Sequence, residues 1–240
     1  MPHAGPDWGT YAPVSTIYSI QDLGELAARL GSPVTFDRRG NIIFMDNFDS
    51  GIEPWWIGGN PTGWTGRWSP DQYKSGGFSL ELTTKAAAGA SVYAQCYFPY
   101  PSKSRLGVEI CFNHNYQVKQ ADFNIEIYDG SYLYEAYIRL IDDTWYYQGD
   151  DHEYHALSPT TDLMTDIMFH TLKLVFDLTT GKYVRLIVDT TVFDLSNFII
   201  YKVDSSSSPS FYIYYEITAR ESAAAAQVWI DNLILTQNEP

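Results

Sequence analysis

The stretch His170-Thr-Leu-Lys-Leu-Val-Phe-Asp-Leu178 alternates apolar and polar side chains. Successive strand side chains point to opposite faces, so Leu172, Leu174, Phe176 and Leu178 share one face while Lys173 and Asp177 share the other. Thr179-Thr180-Gly181-Lys182 supplies a turn, and Val184, Leu186 and Val188 are expected to continue the buried face on the return. Such a hairpin has one apolar face, and that face requires a second layer to cover it.

The same alternation recurs outward from this hairpin. It is read at Leu80–Thr84, Ser91–Phe98, Leu106–Phe112, Phe123–Tyr128, Tyr132–Ile141, Phe211–Thr218 and Val228–Leu235. No helical periodicity separates these runs, so the fold class is all-β: an antiparallel two-sheet sandwich rather than a parallel sheet. One helix is expected ahead of it. Ser19 can cap a run in which Ile20, Leu23, Leu26, Ala27 and Leu30 form an apolar stripe, and Gly31 with Pro33 end it. A hairpin signal follows, from Val34–Phe36 across Asp37–Gly40 to Asn41–Met45. The chain therefore divides into residues 1–43, an arm, helix and hairpin, and residues 44–240, the sandwich. The apolar stripe needs a cover and reads as an assembly segment, docking on a second copy or on another structural protein, with docking back onto its own sandwich as the alternative.

Composition narrows the function classes. The 240 residues carry 15 Lys+Arg against 29 Asp+Glu, a net charge of −14, which argues against a nucleic-acid partner. Aromatics reach 16%, far above what a disordered acidic chain contains. No apolar run approaches the ~18 residues of a membrane helix, and residues 1–19 show neither a basic nor an apolar signal-peptide region. Cys96 and Cys111 are expected on neighbouring strands with opposite facings, hence as free thiols.

Three motifs in order carry a family resemblance. Asp46-Asn-Phe-Asp-Ser-Gly51 followed by Trp55 and Trp64 resembles the opening of jelly-roll carbohydrate-binding modules. Ser75-Gly-Gly-Phe-Ser-Leu-Glu-Leu-Thr83 is similar to one of their strands, and Val228-Trp-Ile-Asp-Asn-Leu-Ile-Leu235 to their last. His170–Asp189 resembles the paired strands of concanavalin A-like lectins and glucanases. The resemblance implies a jelly-roll sandwich and a structural calcium ion held by Asp49 and Asp231, with Asp46 as a third donor. Carboxylates from both ends of a sandwich, completed by carbonyls near Gly76–Gly77, suit calcium's six to eight oxygens.

It also implies a glycan platform. Trp55, Trp56, Trp64 and Trp68 lie among glycines and prolines, where indole plates can stack on sugar C–H faces. Tyr132, Tyr134, Tyr137, Tyr146, Tyr147, Tyr212, Tyr214 and Tyr215 fit the lining of a glycan groove or a protein interface, with half-buried sheet packing the favoured reading. No catalytic residue is assigned. The Glu-x-Asp-x-x-Glu string of similar glucanases is absent, and the polar face Asn124, Glu126, Tyr128 is expected to lack a neighbouring second carboxylate. His114 and Arg139 stand as isolated candidates, and Asp150–His155 reads as a solvated acidic loop. These features point to a non-catalytic recognition or assembly protein. It is expected to be a lectin-like component of a larger particle, such as a phage-like virion, or of a surface assembly. The alternatives are a dedicated lectin and, less favoured, a polysaccharide-degrading enzyme.

Overall fold

The computed structural model of the protein describes residues 39–166, 168–220 and 224–240. The expected helix, with Ile20, Leu23, Leu26, Ala27 and Leu30, lies outside the described residues, as does the Val34–Phe36 half of the hairpin.

The described chain is an all-β sandwich in which every strand pairing is antiparallel. The first sheet runs β13 (Thr191–Asp194), β12 (Lys182–Val188), β11 (His170–Asp177), β6 (Arg105–His114), β16 (Gln227–Gln237), β4 (Ser79–Thr83) and β3 (Thr65–Ser69). β1 (Asn41–Asp46) pairs with the C-terminal half of β16, so this strand spans the boundary expected at residue 44. The second sheet runs β10 (Tyr154–Ala156), β9 (Thr144–Gln148), β8 (Tyr132–Ile141), β7 (Val118–Tyr128), β15 (Ser210–Ala219), β5 (Ser91–Phe98) and β2 (Trp56–Asn60). β14 (Tyr201–Asp204) pairs with the free stretch of β8.

Inward residues of both sheets meet in one core. Phe112 of the first sheet lies 5.3 Å from Phe123 of the second, and Phe123 in turn packs on Tyr215 at 4.5 Å and Trp145 at 5.9 Å. Each such ring, fully buried, contributes on the order of 1.5–3 kcal/mol. Leu172, Leu174, Phe176 and Leu178 all join this core, as their alternation requires.

Two irregularities revise the simple period-2 reading. On β12 the register to β11 slips, so Tyr183 rather than Val184 faces the core with Leu186 and Val188. On β16 one extra residue lies between Asp231 and Ile234, and Asn232 takes a φ of 57°. This bulge keeps Val228 and Ile230 before it, and Leu233 and Leu235 after it, on the same inner face. Cys96 and Cys111 are both free and buried, yet β5 and β6 belong to different sheets rather than being neighbours. Consecutive strands cross between layers here, which alternation alone does not reveal.

Candidate functional site

The outward face of the second sheet gathers the polar and aromatic side chains. Reading across β5, β15, β7 and β8, one row is Gln95, Tyr214, Asn124 and Tyr137. The row on one side is Tyr93, Glu216, Asp122 and Arg139, and on the other Tyr97, Tyr212, Glu126 and Glu135. Trp56 extends the first row on β2, and Tyr146 extends the second on β9. Rings run along it: Trp56 to Tyr93 at 5.5 Å, Tyr93 to Tyr214 at 4.9 Å, and Tyr97 to Tyr212 at 5.2 Å.

This corrects the expectation that Glu126 has no second carboxylate beside it. Glu135 is its direct cross-strand partner, Asp122 shares its strand face, and Glu216 stands opposite Asp122. Directly paired side chains have Cβ atoms ~5 Å apart, close enough for like charges to interact. Tyr128 donates to Glu126 at 3.0 Å, and Tyr137 and Tyr212 also hydrogen-bond to it. Burial and then that carboxylate push the Tyr128 phenol up to about 12, and raise Tyr137 and Tyr212 as well. Glu135 is raised by burial first and then by the Glu126 charge, against which His152 at 3.3 Å acts. Arg139 Nε lies 2.5 Å from Asp122 Oδ1, its guanidinium 3.8 Å over the Tyr154 ring.

The structure separates the four tryptophans. Trp55 is 6% exposed, packs on Phe48 at 5.7 Å and donates from its indole N–H to Asp46 Oδ2 at 3.0 Å. Trp64 is half-buried against the core. Trp68, on the first sheet, stacks on Phe78 at 3.7 Å and donates to the Phe48 carbonyl. Only Trp56, 55% exposed, joins the tyrosine-lined face. The tyrosines divide similarly: Tyr134, Tyr147 and Tyr215 face the core, whereas Tyr137, Tyr146, Tyr212 and Tyr214 face outward. Tyr132 stands at the strand end under Lys202, 3.5 Å from its ring centre.

The expected calcium ligands also divide. Asp46 accepts the Phe48 N–H at 2.9 Å and the Trp55 indole N–H at 3.0 Å. Asp49 Oδ1 accepts the Gly77 N–H at 2.9 Å and lies where a Cβ on Gly76 would be. Asp231 Oδ2 accepts the N–H groups of Lys74 and Ser75 at 2.7 and 3.0 Å, while its Oδ1 is buried with no partner. Burial first, and the Asp49 charge after it, raise Asp231 to about 6. An orphaned carboxylate oxygen beside a second carboxylate and a glycine turn fits a hard divalent cation.

His114 lies on the first sheet, in contact with Phe112 and its backbone surroundings, remote from Arg139 in the topology. In the acidic loop, His155 pairs with Asp151 at 3.0 Å, and the His152 ring packs tilted against Tyr201 at 4.3 Å. Sequence reasoning missed Asp122, Glu135, Glu216, Tyr93, Tyr97 and Gln95. Asp122 was legible by its even spacing with Asn124 and Glu126 once β7 is begun at Val118. The others need the cross-strand register.

No family model and no curated protein matches the chain. Solved structures do. An endo-β-1,4-glucuronan lyase from the fungus Trichoderma reesei superposes with a TM-score of 0.59 at 11% identity, covering 82% of this chain and 95% of that one. A carbohydrate esterase from the Shiga toxin-encoding bacteriophage phi24B gives 0.53 at 14%, covering 83% and 100%. The Emp46p carbohydrate recognition domain gives 0.50 at 13%, covering 81% and 93%. The fold this chain shares with these solved structures is a jelly-roll β-sandwich. Its solved neighbours include both glycan binders and glycan-active enzymes.

Proposed function

We propose that the protein binds glycans across the outward face of the second sheet, without acting on them. The observation that carries this reading is the aromatic run Trp56–Tyr93–Tyr214, left on the surface beside Gln95, Asn124 and Glu126. Rings so placed stack on sugar faces while amides and carboxylates fix the hydroxyls. Glu126 already accepts from three tyrosine hydroxyls, which suits it to holding a groove in shape rather than to attacking a glycosidic bond. Calcium bound by Asp49 and Asp231 would brace the sandwich, with no part in chemistry. An extracellular or surface location accords with this role. A glycan array followed by calorimetry tests it: binding that disappears in Trp56→Ala is expected. Silence across the array, or release of reducing ends from any bound polysaccharide, would refute it.

A role in assembly rests on the apolar stripe at Ile20–Leu30, and we propose a larger particle, such as a phage-like virion, or a surface assembly as its setting. The two roles are compatible, because they use different parts of the chain.

A further inference from the structure

We infer that the outward face of the second sheet selects glycans carrying protonated amino groups, of the glucosamine type, and rejects glycans carrying carboxylates. The inference rests on the glycan reading above and specifies the sugar class.

The face is acidic. Asp122, Glu126, Glu135 and Glu216 share it, and Arg139 is the cation among the outward residues of its four central strands. That guanidinium is engaged by Asp122 at 2.5 Å. Four tyrosine hydroxyls are turned to these carboxylates: Tyr128, Tyr137 and Tyr212 serve Glu126, and Tyr214 serves Glu216. His152 approaches Glu135, and the Gln120 amide donates to Asp122 at 2.7 Å.

Two amide oxygens on this side lack a donor. Asn124 Oδ1 and Gln148 Oε1 are buried atoms without a donor, and the Gln148 side chain, on the outward side of β9, is 3% exposed. A buried acceptor left without a donor is costly, so a ligand that brings donors complements this surface. A sugar hydroxyl brings one hydrogen, whereas an ammonium brings three and a charge that strengthens each bond. The faces of Trp56, Tyr93 and Tyr214 attract a cation for the same electrostatic reason that they stack on C–H groups. A uronate would have to lose water beside four like charges, with the one guanidinium of those central strands already held by Asp122. The chain's net charge of −14 would already oppose its approach.

Calorimetric titration of the full chain tests this, using hexamers of glucosamine, N-acetylglucosamine, glucose in β-1,4 linkage and glucuronic acid, with hexalysine as the charge control. The glucosamine hexamer is expected to bind about tenfold or more tighter than the acetylated and neutral hexamers, with no heat from the glucuronate. Its preference should fall with added salt and vanish in Glu126→Gln combined with Glu216→Gln. Asp71→Asn, an exposed carboxylate after β3, should leave it unchanged. Equal or tighter binding of an acetylated, neutral or uronate hexamer overturns the inference and leaves the glycan reading standing. Hexalysine binding as tightly overturns it too, by showing general attraction to an acidic chain. No binding by any sugar overturns both. Should the double variant fail to fold, Glu216→Gln alone and the ligand panel on the unaltered chain decide between these outcomes.

Discussion

Lys173 Nζ lies 2.8 Å from Glu239 Oε1, with both side chains shut away from solvent. The second carboxylate oxygen of Glu239 receives Arg185 at 2.8 Å, and the Thr236 hydroxyl donates to the first at 2.5 Å. One carboxylate therefore serves two buried cations from β11 and β12. Removing it breaks two buried ion pairs, and breaking a buried pair costs about 3–5 kcal/mol where measured. Glu239→Ala is expected to lower stability by that amount in urea unfolding. A loss under about 1 kcal/mol would show that the cluster contributes little.

Trp55 and Trp56 are neighbours in sequence with opposite duties. Trp55→Ala should cost about 3–5 kcal/mol, as a buried aromatic truncation does. Trp56→Ala should leave the melting temperature within a degree or two and abolish glycan binding. Thermal melts paired with calorimetry read both, and a reversal of the two effects would remove the second sheet as the binding face.

Much of this layout is legible in the sequence, for identifiable reasons. The strands at Ser91–Phe98 and Tyr132–Ile141 appear with the bounds read from alternation, because nothing interrupts their period. The bulge at Asn232 and the slip at Tyr183 are hidden there, since each exchanges two apolar residues between faces without changing composition. The site is the least legible part. Glu126 and Glu135 lie on different strands, and only the register across the Asp129–Tyr132 turn, where Asp129 Oδ1 receives the Ser131 and Tyr132 N–H groups, brings them together. Four tryptophans close in sequence suggest one platform, yet strand parity and sheet membership scatter them.

Asp231 gives a pH signature. Its folded pKa of about 6 lies above the unfolded value near 3.9, so the native state holds the proton more tightly. The sign follows from linkage: without metal, stability falls as pH rises from about 4 to 6, by on the order of 2–3 kcal/mol. Bound calcium favours the carboxylate and should flatten that slope. Melting curves in chelator and in millimolar calcium test this, with Asp231→Asn expected to be insensitive to both. Identical curves with and without calcium would rule out the ion.

Residues 1–33 can be deleted without touching any described strand. If the Ile20–Leu30 stripe joins copies of the chain, the truncated protein should scatter light as a smaller species. Unchanged mass and melting temperature would exclude both an assembly and a stabilising role for the segment.

Tyr183 belongs to the first sheet, yet its hydroxyl accepts the Tyr137 N–H at 3.0 Å and donates to the Gln148 carbonyl at 2.9 Å, between β8 and β9 of the second. A phenol from one layer is thereby riveted into the backbone ladder of the other, directly beneath the outward Tyr137. Under mechanical load on the chain, tension on β8 passes through this hydroxyl into β12. The two layers would resist sliding as one plate, and Tyr183→Phe should let them shear at lower force in single-molecule pulling.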